Sequence, residues 1–202
     1  MLGLPQTTEV KKIIPKRALY SKFELNTAEQ KEFDAAIRQM TIVNEISLRT
    51  IPALQKQEKA VFVLAVQLKQ EGCAERLLQS LCRLIDQRLL LALCYADKLQ
   101  LALLFDNKIL LNDFKPAAEQ SVTLQGTGLK DIWEQFALQV ANLTPSAGLT
   151  PASVIANAGR QAEIEAQIAA LTKKMFAEKQ ARKKLTLREA INKLKNELED
   201  LS

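Results

Sequence analysis

Apolar residues recur along the first part of the chain in two spacings, one typical of helices and one typical of strands. A helix is predicted from about residue 28 to residue 40, because a capping-box pair precedes apolar residues at helical spacing. The pair and the apolar residues are Thr27, Gln30, Phe33, Ile37 and Met40. A strand is predicted over residues 60–68, AVFVLAVQL, because a short, continuous and β-rich apolar run suits a strand covered on both faces.

The stretch that follows Gly72 alternates between helical and strand-like runs. Five apolar residues of AERLLQSLCRLIDQ lie on one face of a predicted helix. They are Leu77, Leu78, Leu81, Leu84 and Ile85. The apolar runs LLLALCYA and KLQLALLF, joined at Asp97–Lys98, predict a β-hairpin, while their richness in Leu and Ala leaves helices as the alternative.

A turn and a further helix close this part of the chain. A short strand is predicted at residues 122–124, and Gly126 and Gly128 bracket a turn into a helix, LKDIWEQFALQVANL, whose apolar residues repeat every four positions. Trp133 in that helix is interpreted as a core anchor. Strands mixed with helices indicate an α/β or α+β domain over residues 1–142, with a mixed-sheet core and flanking helices.

The composition changes after residue 142. Residues 143–159, LTPSAGLTPASVIANAG, contain two Pro, two Gly and several small polar residues, and this composition predicts a linker. Residues 160–202 are predicted to form a helical appendage, because apolar residues return there in two sets with alternating steps of four and three. The two sets are Ile164, Ile168, Leu171 and Met175, followed by Leu187, Ile191, Leu194, Leu198 and Leu201.

The two apolar sets are out of phase, so one uninterrupted helix cannot place both on the same face. Thr186 and Glu189 form a capping-box pair, which indicates that a new helix starts at Leu187. This pattern favours a helical hairpin over one long, bent helix, which stays an alternative. A further alternative is a coiled coil in which the same apolar residues, from Ile164 to Leu198, bind a partner protein or a second copy of the chain.

Positive charge is concentrated near the two ends of the chain. The formal net charge is +5, and a basic N-terminal arm at residues 9–22 and a basic segment at residues 173–195 leave the remainder net acidic. The second segment holds nine basic residues against Glu178 and Glu189. The nine are Lys173, Lys174, Lys179, Arg182, Lys183, Lys184, Arg188, Lys193 and Lys195.

These nine residues are candidates for nucleic-acid binding. Contacts with phosphate groups would produce salt-dependent, sequence-tolerant affinity for DNA or RNA. An acidic protein surface is another partner that such charge could meet. The alternative without a binding function is that the charges only keep an amphipathic helix soluble.

The absence of histidine excludes several kinds of catalytic and metal site. Without it there is no Ser-His or Cys-His nucleophile pair and no His-ligated zinc. Cys73, Cys82 and Cys94 lack CxxC spacing and are interpreted as small core residues in a reducing compartment. No apolar run is long enough to span a bilayer, so a cytoplasmic location is predicted, and no cofactor or metal is expected.

One predicted strand end offers a candidate catalytic element. Gln67-Leu68-Lys69 resembles a degenerate form of the carboxylate-x-Lys element of metal-dependent nucleases, in which carboxylates hold Mg²⁺ beside the Lys. The carboxylates near predicted strand ends are Glu58, Asp97 and Asp106. Because Gln is a poor metal ligand and nothing in the sequence brings these carboxylates together, a non-catalytic protein is favoured over a Mg²⁺-dependent nuclease.

Four segments of the chain carry a resemblance to a known protein family. They are GLPQTTEVKKIIPKRALY, VFVLAVQLK, LQGTGLKDIWEQF and EIEAQIAALTKKMFAEKQARKKLTLREAINKLKNEL. These segments resemble the bacterial family named domain of unknown function 4391. The resemblance implies a companion of helicases and DNA methyltransferases in restriction or phage-defence gene clusters, without an assigned activity.

The residues and the resemblance together lead to one functional expectation. We expect a non-catalytic accessory subunit of a DNA-processing, restriction or phage-defence complex. Its basic helical tail would bind DNA, a helicase or methyltransferase partner, or both. A homo-oligomeric coiled-coil module is the remaining alternative besides the nuclease.

Overall fold

The computed structural model describes residues 2–54, 59–146 and 148–200. The chain forms two compact units, Met1–Thr144 and Pro145–Ser202, here called unit 1 and unit 2. The predicted fold class is confirmed, because unit 1 contains a mixed sheet with flanking helices and unit 2 contains a helical hairpin.

Unit 1 is built on a seven-stranded mixed sheet. Its strands are β1 (Glu9–Ile14), β2 (Ile37–Ile46), β3 (Val61–Leu68), β4 (Arg88–Tyr95), β5 (Lys98–Phe105), β6 (Lys108–Leu111) and β7 (Lys115–Pro116). They follow one another across the sheet from β1 to β6, and β7 pairs with the beginning of β5. Strands β3 and β4 are parallel, and the other described pairs are antiparallel.

Helices cover the sheet of unit 1. They are α1 (Lys16–Lys22), α2 (Thr27–Ala36), α3 (Glu75–Cys82) and α4 (Leu129–Val140). Helix α3 lies in the crossover that the parallel β3–β4 pair requires. Leu19, Phe33 and Leu78 of the first three helices pack in one core cluster with Leu64 and Leu91 of the sheet. Helix α4 packs against β5 and β6.

Strand β3 confirms the prediction of a strand at residues 60–68. Leu64 and Val66 belong to the core cluster under the first three helices. Val63 and Ala65 point to the opposite face by strand alternation, and they are buried as well. Burial on both faces explains why the run is continuously apolar.

The helix predicted to reach residue 40 ends at Ala36, and residues 37–46 form β2. Met40 pairs with Val66 of β3, and from Met40 onward every second residue of β2 is buried. The polar Asn44 takes one of these buried positions, so TIVNEI lacks the polar–apolar alternation that would predict a strand. The helix also starts one residue earlier than predicted, because Asn26 and Glu29 form its capping box.

The basic N-terminal arm is part of the folded unit. Residues 9–14 form β1, an edge strand that pairs with β2, and the following residues form α1. Leu19 of α1 is fully buried in the core cluster. Edge strands commonly carry lysine, which prevents pairing with other chains, and Lys11 and Lys12 suit that position. Charge alone did not show this structural role.

The predicted β-hairpin is confirmed, and its helical alternative is wrong. Strands β4 and β5 pair in register from Leu90–Leu103 to Tyr95–Lys98. Residues 122–124, in contrast, do not form the predicted strand. The side-chain amide of Gln139 in α4 replaces a neighbouring strand there, because it accepts from the Thr123 N–H (2.8 Å) and donates to the Thr123 carbonyl (3.0 Å).

The glycine turn before α4 is present as predicted, and α4 begins at Leu129. The carboxylate of Asp131 accepts hydrogen bonds from the backbone N–H groups of Thr127 and Gly128, each at 3.2 Å. These bonds hold the pKa of Asp131 below its usual value. Gly126 has a φ of +124°, and a Cβ at this position would lie 2.4 Å from the Cβ of Asp131.

Gly126→Ala should therefore destabilise unit 1. We expect a loss of about 1–3 kcal/mol in the free energy of unfolding, because the substitution forces both a strained φ and a collision with the capping residue. Urea denaturation followed by Trp133 fluorescence measures this loss. Gly128→Ala is the matched control, since its Cβ would meet only the Asp131 carboxylate at 3.8 Å. Equal midpoints for Gly126→Ala and the unmodified chain would contradict the prediction.

Unit 2 consists of two long helices, α5 (Pro151–Ala177) and α6 (Ala181–Asp200), which pack against each other as a hairpin. Helix α5 is capped by the Thr150 hydroxyl, which accepts a hydrogen bond from the Ser153 N–H (3.2 Å). Pro151 occupies the start of the helix, where its missing N–H is not needed. Residues 151–159 are thus helical, although their composition predicted a linker.

The break between the two tail helices lies earlier than predicted. Helix α6 starts at Ala181 and not at Leu187. Thr186 lies inside α6, where its hydroxyl donates to the carbonyl of Arg182 (3.3 Å). It therefore does not cap the start of a helix. The break at residues 178–180 separates the two out-of-phase apolar sets, so each helix turns its own set toward the other.

Candidate functional site

The turn of the tail hairpin is organised by Glu178. Helix α5 stops because the backbone of Glu178 is extended, with φ −73° and ψ 139°. The Glu178 carboxylate accepts hydrogen bonds from the backbone N–H groups of Lys179 (2.8 Å) and Gln180 (2.9 Å). The bonds from Gln180 and then Lys179 lower the pKa of Glu178. Sequence reasoning missed this turn, because it counted Glu178 only as a charge.

The predicted apolar seams meet within the hairpin. Ile164 and Ile191 are buried. The other six described seam residues are half-buried. They are Ile168, Leu171, Met175, Leu187, Leu194 and Leu198. Leu201 lies outside the described residues. The main role of the seams is therefore to stabilise the hairpin. Because only two helices pack together, part of each seam stays accessible to a partner.

All nine candidate nucleic-acid-binding residues are exposed. Lys173 and Lys174 lie at the end of α5, Lys179 lies in the turn, and the other six lie on α6. Within residues 148–200, none of the nine side chains forms an ion pair with a carboxylate. Their charge is therefore available to an external anion.

Charge changes sign along the hairpin. The parts of the hairpin far from the turn, residues 160–165 and 193–200, carry five acidic and three basic residues. They are Glu163, Glu165, Glu197, Glu199 and Asp200, and Arg160, Lys193 and Lys195. Arg160 forms an ion pair with Glu197 that connects the two helices. The positive potential is consequently strongest around the turn.

A depression of about 840 Å³ lies beside the turn. Three lysines, Lys174, Lys179 and Lys183, line it together with Glu178 and Leu187. We call this site the turn depression. The turn brings together one lysine of α5, one of the connection and one of α6. Their positions in the sequence alone do not show that these three lysines are neighbours.

A second depression, of about 660 Å³, lies between α5 and α6. Its apolar lining includes Ile168, Met175 and Phe176 of α5 and Leu185 and Ile191 of α6. We call it the tail groove. Phe176 and Leu185 belong to neither predicted seam, and sequence reasoning missed both. The feature of the sequence that could have indicated them is the presence of two large apolar residues outside the heptad spacing.

The strand-end lysine of the nuclease alternative has a structural role. The Lys69 amine donates a hydrogen bond to the backbone carbonyl of Asp34 (2.5 Å), and the Lys69 N–H donates to the carbonyl of Ala36 (2.8 Å). Both bonds hold β3 to the junction between α2 and β2. Gln67 lies in the ladder opposite Gln39 and Cys94.

The carboxylate next to Lys69 belongs to a residue that sequence reasoning did not select. Asp34 accepts hydrogen bonds from the Lys16 amine (2.7 Å) and the Tyr20 hydroxyl (2.6 Å). The bond from Lys16 and then that from Tyr20 lower the pKa of Asp34. Burial and then the bond to Asp34 raise the pKa of Tyr20 to about 12. The cluster connects α1 to α2.

The proposed nuclease carboxylates Asp97 and Asp106 lie at opposite ends of β5 and do not form one group. Asp97 lies in the turn from β4 to β5, and Asp106 lies in the turn from β5 to β6, at the other end of β5. Glu58 lies outside the described residues. Across residues 2–54, 59–146 and 148–200, no three Cys, Asp or Glu side chains are close enough together to hold a metal ion.

The cysteines and the tryptophan lie in or near the core. Cys82 is buried, and Cys73 and Cys94 are half-buried. Burial raises the pKa of Cys73 to about 11 and that of Cys82 to about 12, so both thiols are protonated near neutral pH. Trp133 is buried in α4, as expected for a core anchor.

None of the helices in the described part of the chain has the length and apolarity needed to cross a bilayer.

Comparison with known proteins identifies a family. Searches of curated proteins and of solved structures found no match. One family matches residues 2–198 of the 202-residue chain. The match covers both units almost completely, and the protein therefore belongs to the family described as Domain of unknown function (DUF4391).

Proposed function

We propose that this protein is a non-catalytic accessory subunit of a bacterial DNA-processing, restriction or phage-defence complex in the cytoplasm. In this proposal its tail hairpin binds the DNA backbone. The observation that supports it most directly is the set of nine exposed basic side chains at residues 173–195, none of them in an ion pair within residues 148–200.

In this proposal the lysine and arginine side chains contact phosphate groups of the DNA backbone. Each phosphate that a cationic side chain neutralises releases condensed counterions, so the affinity is salt-dependent and tolerant of sequence. The turn depression supplies three lysines, one from α5, one from the connection and one from α6. Binding of this type holds a complex on DNA of any sequence and leaves target choice to another subunit.

The proposed partner is a helicase or a DNA methyltransferase. Support for it comes from the gene-cluster association that the family resemblance implies. The half-buried seams and the tail groove provide apolar surface for such a partner. In this arrangement the accessory subunit connects a catalytic partner to the DNA backbone.

The test uses charge reversal in the turn depression. Lys174→Glu, Lys179→Glu and Lys183→Glu are combined, and affinity for a labelled mixed-sequence DNA duplex is measured by fluorescence anisotropy over a series of salt concentrations. We expect the variant to bind at least about tenfold more weakly at low salt, and its log–log salt slope to fall by about 0.9 for each phosphate contact removed.

A charge-matched variant controls for the change in net charge. Lys31→Glu, Arg38→Glu and Lys115→Glu alter three exposed residues of unit 1 by the same amount. We expect this control to keep the affinity and salt slope of the unmodified chain. An unchanged slope in the turn-depression variant, or an equal loss in both variants, would reject DNA binding by the tail.

A further inference from the structure

The tail groove contains large apolar side chains that are exposed to solvent. Phe176 is 77% exposed and Leu185 is 58% exposed, and both line the groove. They adjoin Met175, Ile168 and Ile191 on the two helices. Scattered apolar residues on a surface are ordinary, but several in one groove mark an interaction site.

Basic residues line the same groove. Lys184, Arg188 and Lys195 of α6 stand beside the apolar residues, and no acidic residue contributes to the lining. From Lys184 to Lys195 the helix rises about 16 Å, which corresponds to three turns. A complementary occupant therefore has an apolar stripe about three turns long with negative charge beside it.

A second copy of the chain fits this groove poorly. Two identical grooves packed face to face would place Lys184, Arg188 and Lys195 of one copy against the same residues of the other. Because no acidic residue lines the groove, these like charges would have no compensation there.

DNA fits the groove poorly as well. The phosphate backbone would meet the three basic residues but would leave Met175, Phe176 and Leu185 in water. The turn depression already offers lysines without this apolar lining, so the two sites suit ligands of different chemistry.

We propose that the tail groove binds an acidic amphipathic α-helix of a partner protein. This inference rests on the proposed accessory role and defines the chemistry of the partner. The apolar face of the partner helix covers Phe176, Leu185 and the residues between α5 and α6. Its Glu or Asp side chains lie along Lys184, Arg188 and Lys195. This is the helix-in-groove mode of recognition.

The probe for this groove is a labelled synthetic peptide of three heptads. It carries Leu at the a and d positions, Glu at the positions that flank them and Ala elsewhere. Two control peptides replace every Glu with Lys or every Leu with Ser. We expect saturable binding of the acidic peptide to the full chain by fluorescence anisotropy, and at least tenfold weaker binding of both controls.

Substitutions in the chain locate the binding. Phe176→Ser combined with Leu185→Ser should weaken acidic-peptide binding at least tenfold, whereas Phe176→Leu with Leu185→Met should retain it. Circular dichroism should be the same for all, because both side chains are exposed. Combining Lys184→Glu, Arg188→Glu and Lys195→Glu should reverse the preference toward the Lys peptide, an outcome that a purely structural role of these residues does not produce.

The outcomes separate this inference from DNA binding. The Phe176→Ser and Leu185→Ser chain should keep its DNA affinity, and the turn-depression variant should keep its peptide affinity. Absence of acidic-peptide binding, or equal binding by the Ser variant, overturns the groove assignment even if DNA binding persists. Light scattering that shows a dimer converted to a monomer by the Ser substitutions also overturns it, because a second copy would then occupy the groove.

Discussion

Phe33→Ala should lower the free energy of unfolding of unit 1 by about 3–5 kcal/mol. The Phe33 side chain is fully buried in the core cluster. Its ring meets the Tyr20 ring edge to face, with the centroids 5.7 Å apart, and the Lys16 amine lies 6.0 Å from its centroid. Truncation leaves a cavity between α1, α2 and the sheet. Urea denaturation followed by Trp133 fluorescence measures the loss.

Phe176→Ala is the matched control for this experiment. It removes the same ring from a side chain that is 77% exposed in unit 2. We expect its unfolding free energy to stay within about 0.5 kcal/mol of the unmodified chain. If Phe33→Ala costs no more than Phe176→Ala, the core described for unit 1 is wrong.

Ile191→Asp should open the tail hairpin. Ile191 is 6% exposed and is the buried apolar residue of α6. The substitution removes apolar contact between α5 and α6 and places a carboxylate at a buried position of the helix pair, where it loses most of its hydration. We expect a cost of about 3–5 kcal/mol, which is large for a unit of two helices. Loss of helical signal in circular dichroism and faster limited proteolysis within residues 178–200 measure the opening.

The functional consequence of an open hairpin is the loss of both proposed sites. The turn depression and the tail groove are each lined by residues of α5 and α6 together, so neither survives separation of the helices. Asn196→Asp introduces the same charge at an exposed residue of α6 that lines neither depression, and it should leave helicity, DNA binding and peptide binding intact. Proteolysis of Ile191→Asp at the rate of Asn196→Asp would falsify the described packing of unit 2.

Local signals predicted some elements of unit 1 correctly. The continuous apolar run of β3 and the two runs of the β4–β5 hairpin are short segments whose residues satisfy strand geometry within themselves. Residues 37–40 were mispredicted as helix, because Ile37 and Met40 continue the spacing of α2 into a segment that pairs with β3. Backbone pairing with a segment more than twenty residues away prevailed over local periodicity.

For the candidate site as well, the sequence predicted some features correctly and could not predict others. The residue types of the tail, its nine basic residues and its two out-of-phase apolar sets, can be read directly from the chain. Phe176 and Leu185 could not be recognised as neighbours, because the turn at Glu178 that brings α5 against α6 depends on a carboxylate bonding two backbone N–H groups. Similarly, the bond from Lys69 to Asp34 joins residues that are far apart in sequence.

Composition and periodicity already establish a mixed sheet followed by a charged helical tail, because apolar spacing reflects the geometry of each element on its own. The folded chain adds two facts that no local pattern contains. The basic N-terminal segment serves as an edge strand and a core helix, and the tail separates a lysine-lined depression from an apolar groove. Both depend on which distant segments become neighbours, and contacts between such segments form only when the whole unit folds.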